Sequence, residues 1–476
     1  MKRSLRESSS LILILAALYT VTASIMYLAL TKSYQTVSAY DSFRMLILCL
    51  MLPIFIKYVI QLLGAPIYSA VEAVRHRRGL TNSTPTVSVC IPAWNEEVGI
   101  VKTIRSVLNT AYPKLEVLII NDGSTDSTHE KISHFISNYE QQADQGAKLK
   151  YLHLENGGKA KALNQALKQV TGEIVITVDA DSVMDTDAIV NLVKRFTSPD
   201  VAAVAGNVII SNKRKPIELM QQLEYLYGFF FKRADALFNS VYIIGGAAAA
   251  YRREALEAVG GFDHEIITED IEMSTRMLAH GYKTRYAPDA VIYTEGPSDL
   301  KSLSSQRLRW KYGRILTFIK HRKLFFSLRK KHNPYLSWLI LPVAVYSELM
   351  LLLETFMLSA FVVYTVHTND YMPLAFVTLL MTFIISVQVL VDSKARFHSN
   401  LLLLAPVALP ICYAMDLIEL QALIRSLKRF VLRKELKWQK WVRVGVLEDV
   451  CNLPTSLPLA ELDSDFSNRA KPATTR

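Results

Sequence analysis

The sequence contains little cysteine, and the cysteines it has do not suggest a covalent or metal-bound scaffold. There are four among 476 residues. Cys49 and Cys412 lie in strongly apolar stretches, whereas Cys90 and Cys451 stand alone. Because neither paired cysteines nor a Cys/His spacing that suits zinc is present, we predict neither a disulfide framework nor a structural zinc site.

The chain also lacks a complete Walker loop. Asn156-Gly157-Gly158-Lys159 forms a glycine-rich turn that carries a lysine into a helix, but no Ser or Thr follows the lysine. In a Walker loop this hydroxyl group binds Mg²⁺. The turn suits a phosphate group, since helix N-termini attract anions, but an ATP-binding P-loop is disfavoured.

Charged residues are scarce, at 20%, while 51% of the residues are hydrophobic and the mean hydropathy is +0.20. This composition predicts a membrane protein. Residues 11–30 carry no charge and residues 45–63 are nearly as apolar, so each approaches the roughly 20 residues that a spanning helix needs. The first segment could instead be a cleaved signal peptide after the basic start, but it is longer than the usual ~7–15 apolar residues.

The positive charges lie mainly beside apolar segments. The net charge is +11, and basic residues concentrate in residues 320–331 and after the second apolar segment, at Arg75, Arg77 and Arg78. Positive residues beside a span usually stay in the cytoplasm. We therefore expect a cytoplasmic domain next to anionic lipid headgroups, and no nucleic acid partner.

Three more apolar stretches cover approximately residues 335–366, 372–391 and 401–423. Three crossings would place the basic residues 425–443 outside the cell, against the positive-inside rule. One stretch is therefore expected to be re-entrant, interfacial or split into two crossings. Glu348 and Glu354 lie within the first stretch and need a protein or water partner there, either along a polar pathway or at a helix contact.

Between the apolar groups, β-branched runs alternate with helical spacing, which is typical of an α/β sheet. Residues 87–92 and 116–121 are predicted to be strands, and residues 97–108 are predicted to be a helix. Ligands of such sheets bind at the carboxyl ends of the strands. Asp122 follows the second strand, where an ordinary turn is an alternative to a binding role.

Asp179 and Asp181 follow the apolar run of residues 172–178. Two carboxylates one residue apart can hold Mg²⁺ or Mn²⁺ and leave positions for diphosphate oxygens. The same Asp-x-Asp pattern recurs at two places that we interpret as a helix cap and part of a disordered tail, Asp185/Asp187 and Asp463/Asp465.

Two later motifs carry further chemistry. Thr268-Glu269-Asp270 precedes helical spacing, so Asp270 lies at a helix N-terminus, which helps to keep a general base ionised. Gln306, Arg309 and Trp310 share one helical face. Arg309 can meet a diphosphate and Trp310 a sugar ring, although a basic helix on the membrane surface, with Arg307, Lys311 and Arg314, remains an alternative.

In this order the motifs resemble those of processive family-2 membrane glycosyltransferases, the group of the cellulose, chitin, hyaluronan and poly-N-acetylglucosamine synthases. The layout is most similar to the bacterial poly-β-1,6-N-acetylglucosamine synthases. The residues that carry this resemblance are residues 92–96, 122–124, 158–159, 179–181, 245–246, 268–270 and 306–310. The segment 311–314, Lys-Tyr-Gly-Arg, is more strongly charged than the corresponding segment of those enzymes. This difference bears on the identity of the sugar and the linkage more than on the reaction class.

The resemblance implies a nucleotide-diphospho-sugar transferase (GT-A-like) α/β domain inserted between transmembrane helices of a bacterial inner membrane. It also implies the role of each site residue. Ala93, Glu96 and Asp122 lie near the uridine; Lys159 near the diphosphate; Asp179 and Asp181 near ribose, diphosphate and the Mg²⁺ or Mn²⁺ ion; Gly245 and Gly246 near the acceptor; Gln306, Arg309 and Trp310 on an interfacial helix, with Asp270 as the base and Glu269 as a further substrate-binding residue. Glu224 and Arg233 are candidates to join them.

The expected regions are residues 1–74 (two spans), 75–300 (cytoplasmic domain), 301–333 (interfacial helices), 334–424 (late spans) and 425–476 (basic segment and disordered tail). The expected function is inverting transfer from a UDP-sugar, best UDP-N-acetylglucosamine, to a growing exopolysaccharide that is exported across the membrane. Two alternatives stay open: single addition to a lipid-linked oligosaccharide or glycolipid, and a nucleotide-binding membrane scaffold. A small membrane accessory subunit and regulation by a cyclic dinucleotide also stay open.

Overall fold

The computed structural model describes residues 2–32, 41–78, 84–142, 147–434 and 436. The segment with Asp463, Asp465 and Cys451, which the sequence predicted to be mostly a disordered tail, lies outside these residues. The α-helices, in chain order, are α1 (Lys2–Thr31), α2 (Asp41–Arg78), α3 (Ile100–Leu108), α4 (Thr128–Gln142), α5 (Lys159–Leu167), α6 (Ala188–Val193), α7 (Pro216–Leu237), α8 (Arg253–Ala258), α9 (Glu269–His280), α10 (Leu300–Lys320), α11 (Leu341–Thr368), α12 (Met372–Val391) and α13 (Ala408–Val431).

A mixed sheet forms the centre of the domain. Its strands are β1 (Val87–Ala93), β2 (Leu115–Asp122), β3 (Lys148–Leu154), β4 (Ile174–Thr177), β5 (Ser182–Met184), β6 (Val201–Ile210), β7 (Ala249–Arg252) and β8 (Lys283–Thr294). They are ordered β3-β2-β1-β4-β7-β6-β8-β5. β1 pairs in parallel with both β2 and β4, so the carboxyl ends of these three strands meet at one edge.

Both faces of this sheet are covered, which explains why its strands are continuous apolar runs. Val89 and Ile91 of β1 pack with α3 residues on one face, whereas Cys90 between them packs with Leu163 of α5 and Met273 of α9 on the other. The predicted α/β domain is confirmed.

Among the described residues, five helices are long and apolar enough to cross a membrane: α1, α2, α12, α11 with the π-helical turn before it (Leu336–Ile340), and α13. They flank the domain on both sides, as the sequence predicted, and they indicate a membrane location.

α2 extends beyond its apolar part and is attached to the domain by buried polar groups. Tyr68 donates a hydrogen bond to the backbone oxygen of Tyr286. The carboxylate of Glu72, 3% exposed, lies 2.8 Å from the guanidinium group of Arg285 and 2.7 Å from that of Arg75. Loss of one partner from such a buried pair is costly, so α2 and the domain are expected to move as one unit.

α13 packs against α7 near its start and against α10 near its end, and it also contacts α11 and α12. Near its start, Ala408 and Ile411 belong to the same apolar cluster as Leu219 and Leu223 of α7. Near its end, the hydroxyl group of Ser426 donates to the backbone oxygen of Leu308 at 3.4 Å. Of the alternatives that the charge pattern left open, these contacts favour an interfacial position for α13.

Two local predictions need refinement. The helix expected over residues 97–108 begins at Ile100, because residues 96–99 form a turn whose amides bond to neighbouring loops. Asp187 holds the N-cap position of α6, as predicted, but its side chain accepts no capping hydrogen bond. Asp185 instead pairs with Lys394 at 2.6 Å.

Candidate active site

A cavity of about 1340 Å³ opens at the carboxyl ends of β1, β2 and β4 and continues between α2, α11 and α12. Every predicted site residue except the additional candidate Arg233 lines it. These residues are Ala93, Glu96, Asp122, Lys159, Asp179, Asp181, Gly245, Gly246, Glu269, Asp270, Gln306, Arg309 and Trp310. Motifs spread over more than 200 residues of sequence therefore face one space.

The loops after β1 and β2 are tied together by hydrogen bonds. Asn95 has a left-handed backbone, with φ of 55°, and its side-chain oxygen accepts from the amide of Thr125 at 2.7 Å. The amide of Asn95 in turn donates to the hydroxyl group of Ser124 at 2.9 Å. Asparagine tolerates this conformation better than most residues, and the bonds hold Ala93 and Glu96 at the edge of the cavity.

Asp122 fixes the loop that leads to Lys159. Its two carboxylate oxygens accept from the amides of Gly157 and Gly158, each at 2.9 Å. The backbone also needs a glycine next to it, because Gly123 has φ of +66° and a Cβ there would lie 2.6 Å from the amide nitrogen of Asn156. The turn chemistry that the sequence suggested is thus combined with a position on the cavity wall.

The ammonium group of Lys159 lies at the centre of an acidic cluster. It is 2.6 Å from an oxygen of Asp179 and 3.0 Å from an oxygen of Glu269. Burial alone would lower the pKa of Lys159, but Asp179, Glu269 and Asp270 together raise it well above its usual value. The lysine therefore stays charged.

Glu269 and Asp270 lie at the start of α9, as the sequence predicted. Burial raises the pKa of Glu269, with repulsion from Asp270 in the same direction and attraction from Lys159 against it. One oxygen of Asp270 accepts from the amide of Ile271 at 2.9 Å, and a Cβ built on Gly246 would lie 3.7 Å from the other. An acceptor hydroxyl group can therefore approach this second oxygen from the cavity.

The two carboxylates predicted to bind a metal ion project into the same space. Asp179 is engaged by Lys159, and Asp181 accepts from the hydroxyl group of Ser182 at 3.2 Å. Among the described residues, no group of three or more His, Cys, Asp or Glu side chains could hold a metal ion. Mg²⁺ sites in nucleotide enzymes commonly use one or two carboxylates and complete the shell with phosphate oxygens and water, so this pair fits such an ion.

α10 presents Gln306, Arg309 and Trp310 to the cavity, as its spacing predicted. Arg307, which the alternative interpretation placed on a membrane surface, is 2% exposed. Its guanidinium group bonds to both oxygens of Glu224, at 2.8 and 2.6 Å, and lies 4.4 Å from the ring centroid of Trp310. Because it is paired and stacked, Arg307 orients the indole ring instead of contacting lipid.

The charged residues of 311–314 also turn inward. Lys311 pairs with Glu348 of α11 at 2.8 Å and with Glu419 of α13 at 3.0 Å, and Arg314 pairs with Glu348. Sequence reasoning had predicted that Glu348 needs a partner but did not identify these. The signal that could have identified these partners was the presence of two additional cations on α10 together with acidic residues in apolar helices.

Of the remaining candidates, two line the cavity and one contributes to packing. Glu224 lines the cavity, as does Glu354, next to Asp416. Arg233 does not join the site: its guanidinium group bonds to the backbone oxygen of Val391 at 3.3 Å and lies over the ring of Phe230. It is buried against α12 and contributes to packing.

Residues 85–313 match the model of the family described as Glycosyltransferase like family 2. The chain is 36% identical over 231 residues to a poly-beta-1,6-N-acetyl-D-glucosamine synthase of Staphylococcus epidermidis, which covers 48% of this chain and 54% of that protein. It is 34% identical over 252 residues to one of Staphylococcus aureus strain COL, covering 52% and 58%. The chain thus spans about half the length of the curated relatives it matches.

A solved structure has a similar fold. It is a mannosyltransferase from Pyrobaculum calidifontis in complex with GDP-Man and Mn²⁺, with a TM-score of 0.52 and 22% identity. The match covers 80% of this chain and 100% of that one. At this identity, the likeness bears on the fold.

Proposed function

Because residues 85–313 form a glycosyltransferase family 2 domain, we propose that this protein transfers a sugar from a UDP-sugar, best UDP-N-acetylglucosamine, to a growing polysaccharide. Sugar transfer follows from the family. The choice of donor is supported by the names of the relatives, which are synthases of an N-acetylglucosamine polymer. One observation carries the proposal: Lys159, Asp179, Glu269 and Asp270 converge in one cavity with Trp310 of α10.

The donor lies at the sheet edge. Ala93, Glu96 and Asp122 surround the uridine, while Lys159 and Arg309 neutralise the diphosphate, a role that their charge and position in the cavity support. Asp179 and Asp181 would hold a Mg²⁺ or Mn²⁺ ion, which when bound would neutralise charge on the leaving group.

Transfer is a single displacement. Asp270 takes the proton from an acceptor hydroxyl group, whose oxygen forms a bond to the anomeric carbon while the bond from that carbon to the diphosphate oxygen breaks. UDP leaves and the anomeric configuration inverts. Asp270 lies in the first turn of α9 and lines the cavity, a position that suits a base.

The product leaves toward the apolar helices. The domain lies on the cytoplasmic side of a bacterial inner membrane, and the polymer moves from the site into the part of the cavity between α2, α11 and α12. Support comes from the continuity of this cavity with the predicted site and from the basic residues that follow α2.

A second acceptor class has an observation in its favour. The part of the cavity far from the sheet is lined largely by aliphatic side chains, such as Met51, Met357 and Leu374. Such a surface suits a hydrocarbon chain better than sugar hydroxyl groups. An acceptor attached to a lipid is therefore the second candidate, and single addition to it would follow if the product is released.

Membrane vesicles that contain the full chain, given a panel of UDP-sugars with Mg²⁺ or Mn²⁺, test the proposal. We expect UDP release with one donor, chiefly UDP-N-acetylglucosamine, and a product whose linkage can be determined chemically. Asp270→Asn should lower turnover about 10²–10⁴-fold and retain UDP affinity. Undiminished turnover in this variant would contradict the proposed base, and nucleotide binding without turnover in the unaltered protein would favour a binding scaffold.

A further inference from the structure

Two lysines stand where the polar and apolar parts of the cavity meet. Lys57 belongs to the apolar part of α2, and Lys232 belongs to α7; both line the cavity. The ammonium group of Lys57 lies 4.5 Å from the ring centroid of Tyr58, and that of Lys232 lies 3.9 Å from the ring centroid of Phe229. Within the described part of the chain, neither ammonium group forms an ion pair or a hydrogen bond. Lysine inside an apolar helix is expected to have a function and a partner.

The two lysines share one buried acid. Asp235, one turn after Lys232 on α7, interacts electrostatically with both lysines. One of its oxygens already accepts from the amide of Gln61 at 2.9 Å and from the hydroxyl group of Tyr335 at 3.0 Å. Burial raises the pKa of Asp235 and lowers the pKa of Lys232 to about 8. Lys57 and Lys232 share Asp235, and Asp270, which also acts on Lys232, acts on Lys159 as well. Neither lysine therefore has a carboxylate to itself.

The surface beyond the lysines is apolar. Ile47, Met51 and Ile54 of α2 face this end of the cavity, together with Met357 and Phe361 of α11 and Leu374 of α12. None of these side chains offers a sugar hydroxyl group more than the weak acceptor of a methionine thioether. A ligand that matches both parts is one with an anionic group attached to a long hydrocarbon chain.

We propose that Lys57 and Lys232 form a second anion subsite, which binds the phosphate group of a lipid-borne acceptor whose hydrocarbon chain occupies the apolar end of the cavity. Lysine binds phosphate as a point charge without fixed geometry, and long cationic side chains reach toward headgroups from apolar surroundings. The inference rests on the proposed sugar transfer, and it specifies the class of acceptor. Lys232 interacts electrostatically with Asp270 as well as with Asp235, so the bound phosphate lies on the base's side of the cavity.

Binding to the purified full chain in detergent tests the subsite, with geranylgeranyl monophosphate as the probe. Geranylgeraniol, which lacks the phosphate, and inorganic phosphate, which lacks the chain, are the comparison ligands. We expect the monophosphate to bind at least about tenfold more tightly than either, since hydrogen bonds to charged groups are among the stronger polar interactions. Lys57→Gln and Lys232→Gln should each remove most of this preference.

Matched variants exclude a general packing defect. Lys213 also lies over an aromatic ring, 4.0 Å from the centroid of Phe397, but is not among the residues of the cavity wall, so Lys213→Gln should bind the lipid phosphate as the unaltered protein does. Lys232→Arg keeps the charge and should restore most of the affinity that Lys232→Gln loses. A fold defect would affect both substitutions at position 232.

Several results would overturn the subsite. Equal affinity for the alcohol and the lipid phosphate would show that charge does not contribute to binding. Inorganic phosphate that binds as tightly as the lipid phosphate would show that the hydrocarbon chain does not contribute. Loss of UDP affinity in Lys232→Gln would assign this lysine to the donor. If any of these occurs while UDP-sugar turnover still depends on Asp270, this inference fails and the proposed transfer stands.

Discussion

Gly246 lies against the ammonium group of Lys159, and this contact leaves no room for a side chain. A Cβ at this position would be 2.6 Å from that nitrogen, so Lys159 would have to leave Asp179 and Glu269. Because the end of a lysine side chain moves easily, the fold should tolerate Gly246→Ala while the site is disturbed.

We therefore expect Gly246→Ala to lower kcat/KM for the UDP-sugar about 10–100-fold, since a charge-assisted hydrogen bond is worth about 1.5–3 kcal/mol and 1.4 kcal/mol corresponds to about tenfold. The melting temperature should change little. Gly228→Ala is the matched control, because a Cβ there meets no atom within 4 Å. Equal kinetics of the two variants would contradict the role of this contact.

Asp181 is the residue on which metal dependence should show most clearly. A chelator should abolish UDP release, and added Mg²⁺ or Mn²⁺ should restore it. With Asp181→Asn, the metal concentration for half-maximal activity should rise at least about tenfold, since even groups that only orient metal ligands contribute about 10–100-fold to affinity. Asp187→Asn, at an exposed acid of the neighbouring Asp-x-Asp pattern, should leave the metal titration unchanged, and an identical shift in both variants would argue against a site at Asp181.

At the scale of elements, α10 is held by ion pairs to α7, α11 and α13. Arg307 pairs with Glu224, and Lys311 pairs with Glu348 and Glu419. These acids come from three different helices, so their pairs fix α10, and with it Trp310, relative to the apolar helices. A buried pair of this kind specifies position more surely than it adds stability.

Removal of one acidic partner should show that the fold depends on the ion pairs of α10. Glu348→Gln leaves Lys311 and Arg314 with less negative charge, and we expect it to destabilise the fold by about 3–5 kcal/mol, visible as a lower unfolding temperature in detergent. Glu257→Gln, at an exposed acid 3.3 Å from Arg253, should have no measurable effect. A Glu348→Gln variant as stable as the unaltered protein would show that water replaces the lost charge.

The position of α13 makes a prediction about topology. Its end lies at the domain, where the hydroxyl group of Tyr312 donates to the backbone oxygen of Lys434 at 3.3 Å. In a background without the native cysteines, Lys434→Cys should react with an impermeant maleimide from the same side of the membrane as Lys161→Cys in the domain. Asn369→Cys, between α11 and α12, should react from the other side. If positions 434 and 369 react from the same side, α13 must cross the membrane.

The cavity is continuous from the site to the apolar helices, so for the whole molecule it predicts that sugars are added repeatedly to an acceptor that remains bound. If the acceptor remains bound between additions, a short reaction with excess acceptor should yield long chains together with unused acceptor. Release of products with one added sugar would instead favour single addition to a lipid-borne acceptor. Chain-length analysis during the first turnovers distinguishes the two, because the expected products differ in length before the acceptor is exhausted.

The local chemistry could be predicted from sequence because it depends on short spacings. Strands appear as apolar runs, the Asp179–Asp181 pair follows one of them directly, and Gln306, Arg309 and Trp310 fall on one helical face by periodicity alone. The carboxyl ends of parallel strands share an edge, which accounts for the meeting of the loops after β1, β2 and β4.

Tertiary structure decided what depends on packing between distant segments. The inward turn of Arg307, Lys311 and Arg314 could not be deduced from α10, because their partners Glu224, Glu348 and Glu419 lie 34 to 112 residues away in sequence on other helices. Likewise, hydropathy shows that α13 is apolar, but only the tertiary structure shows its contacts with α7 and α10. The sequence by itself determined the reactive groups and the local elements that carry them, whereas the fold determined which charges are buried together, since burial is a property of the assembled chain.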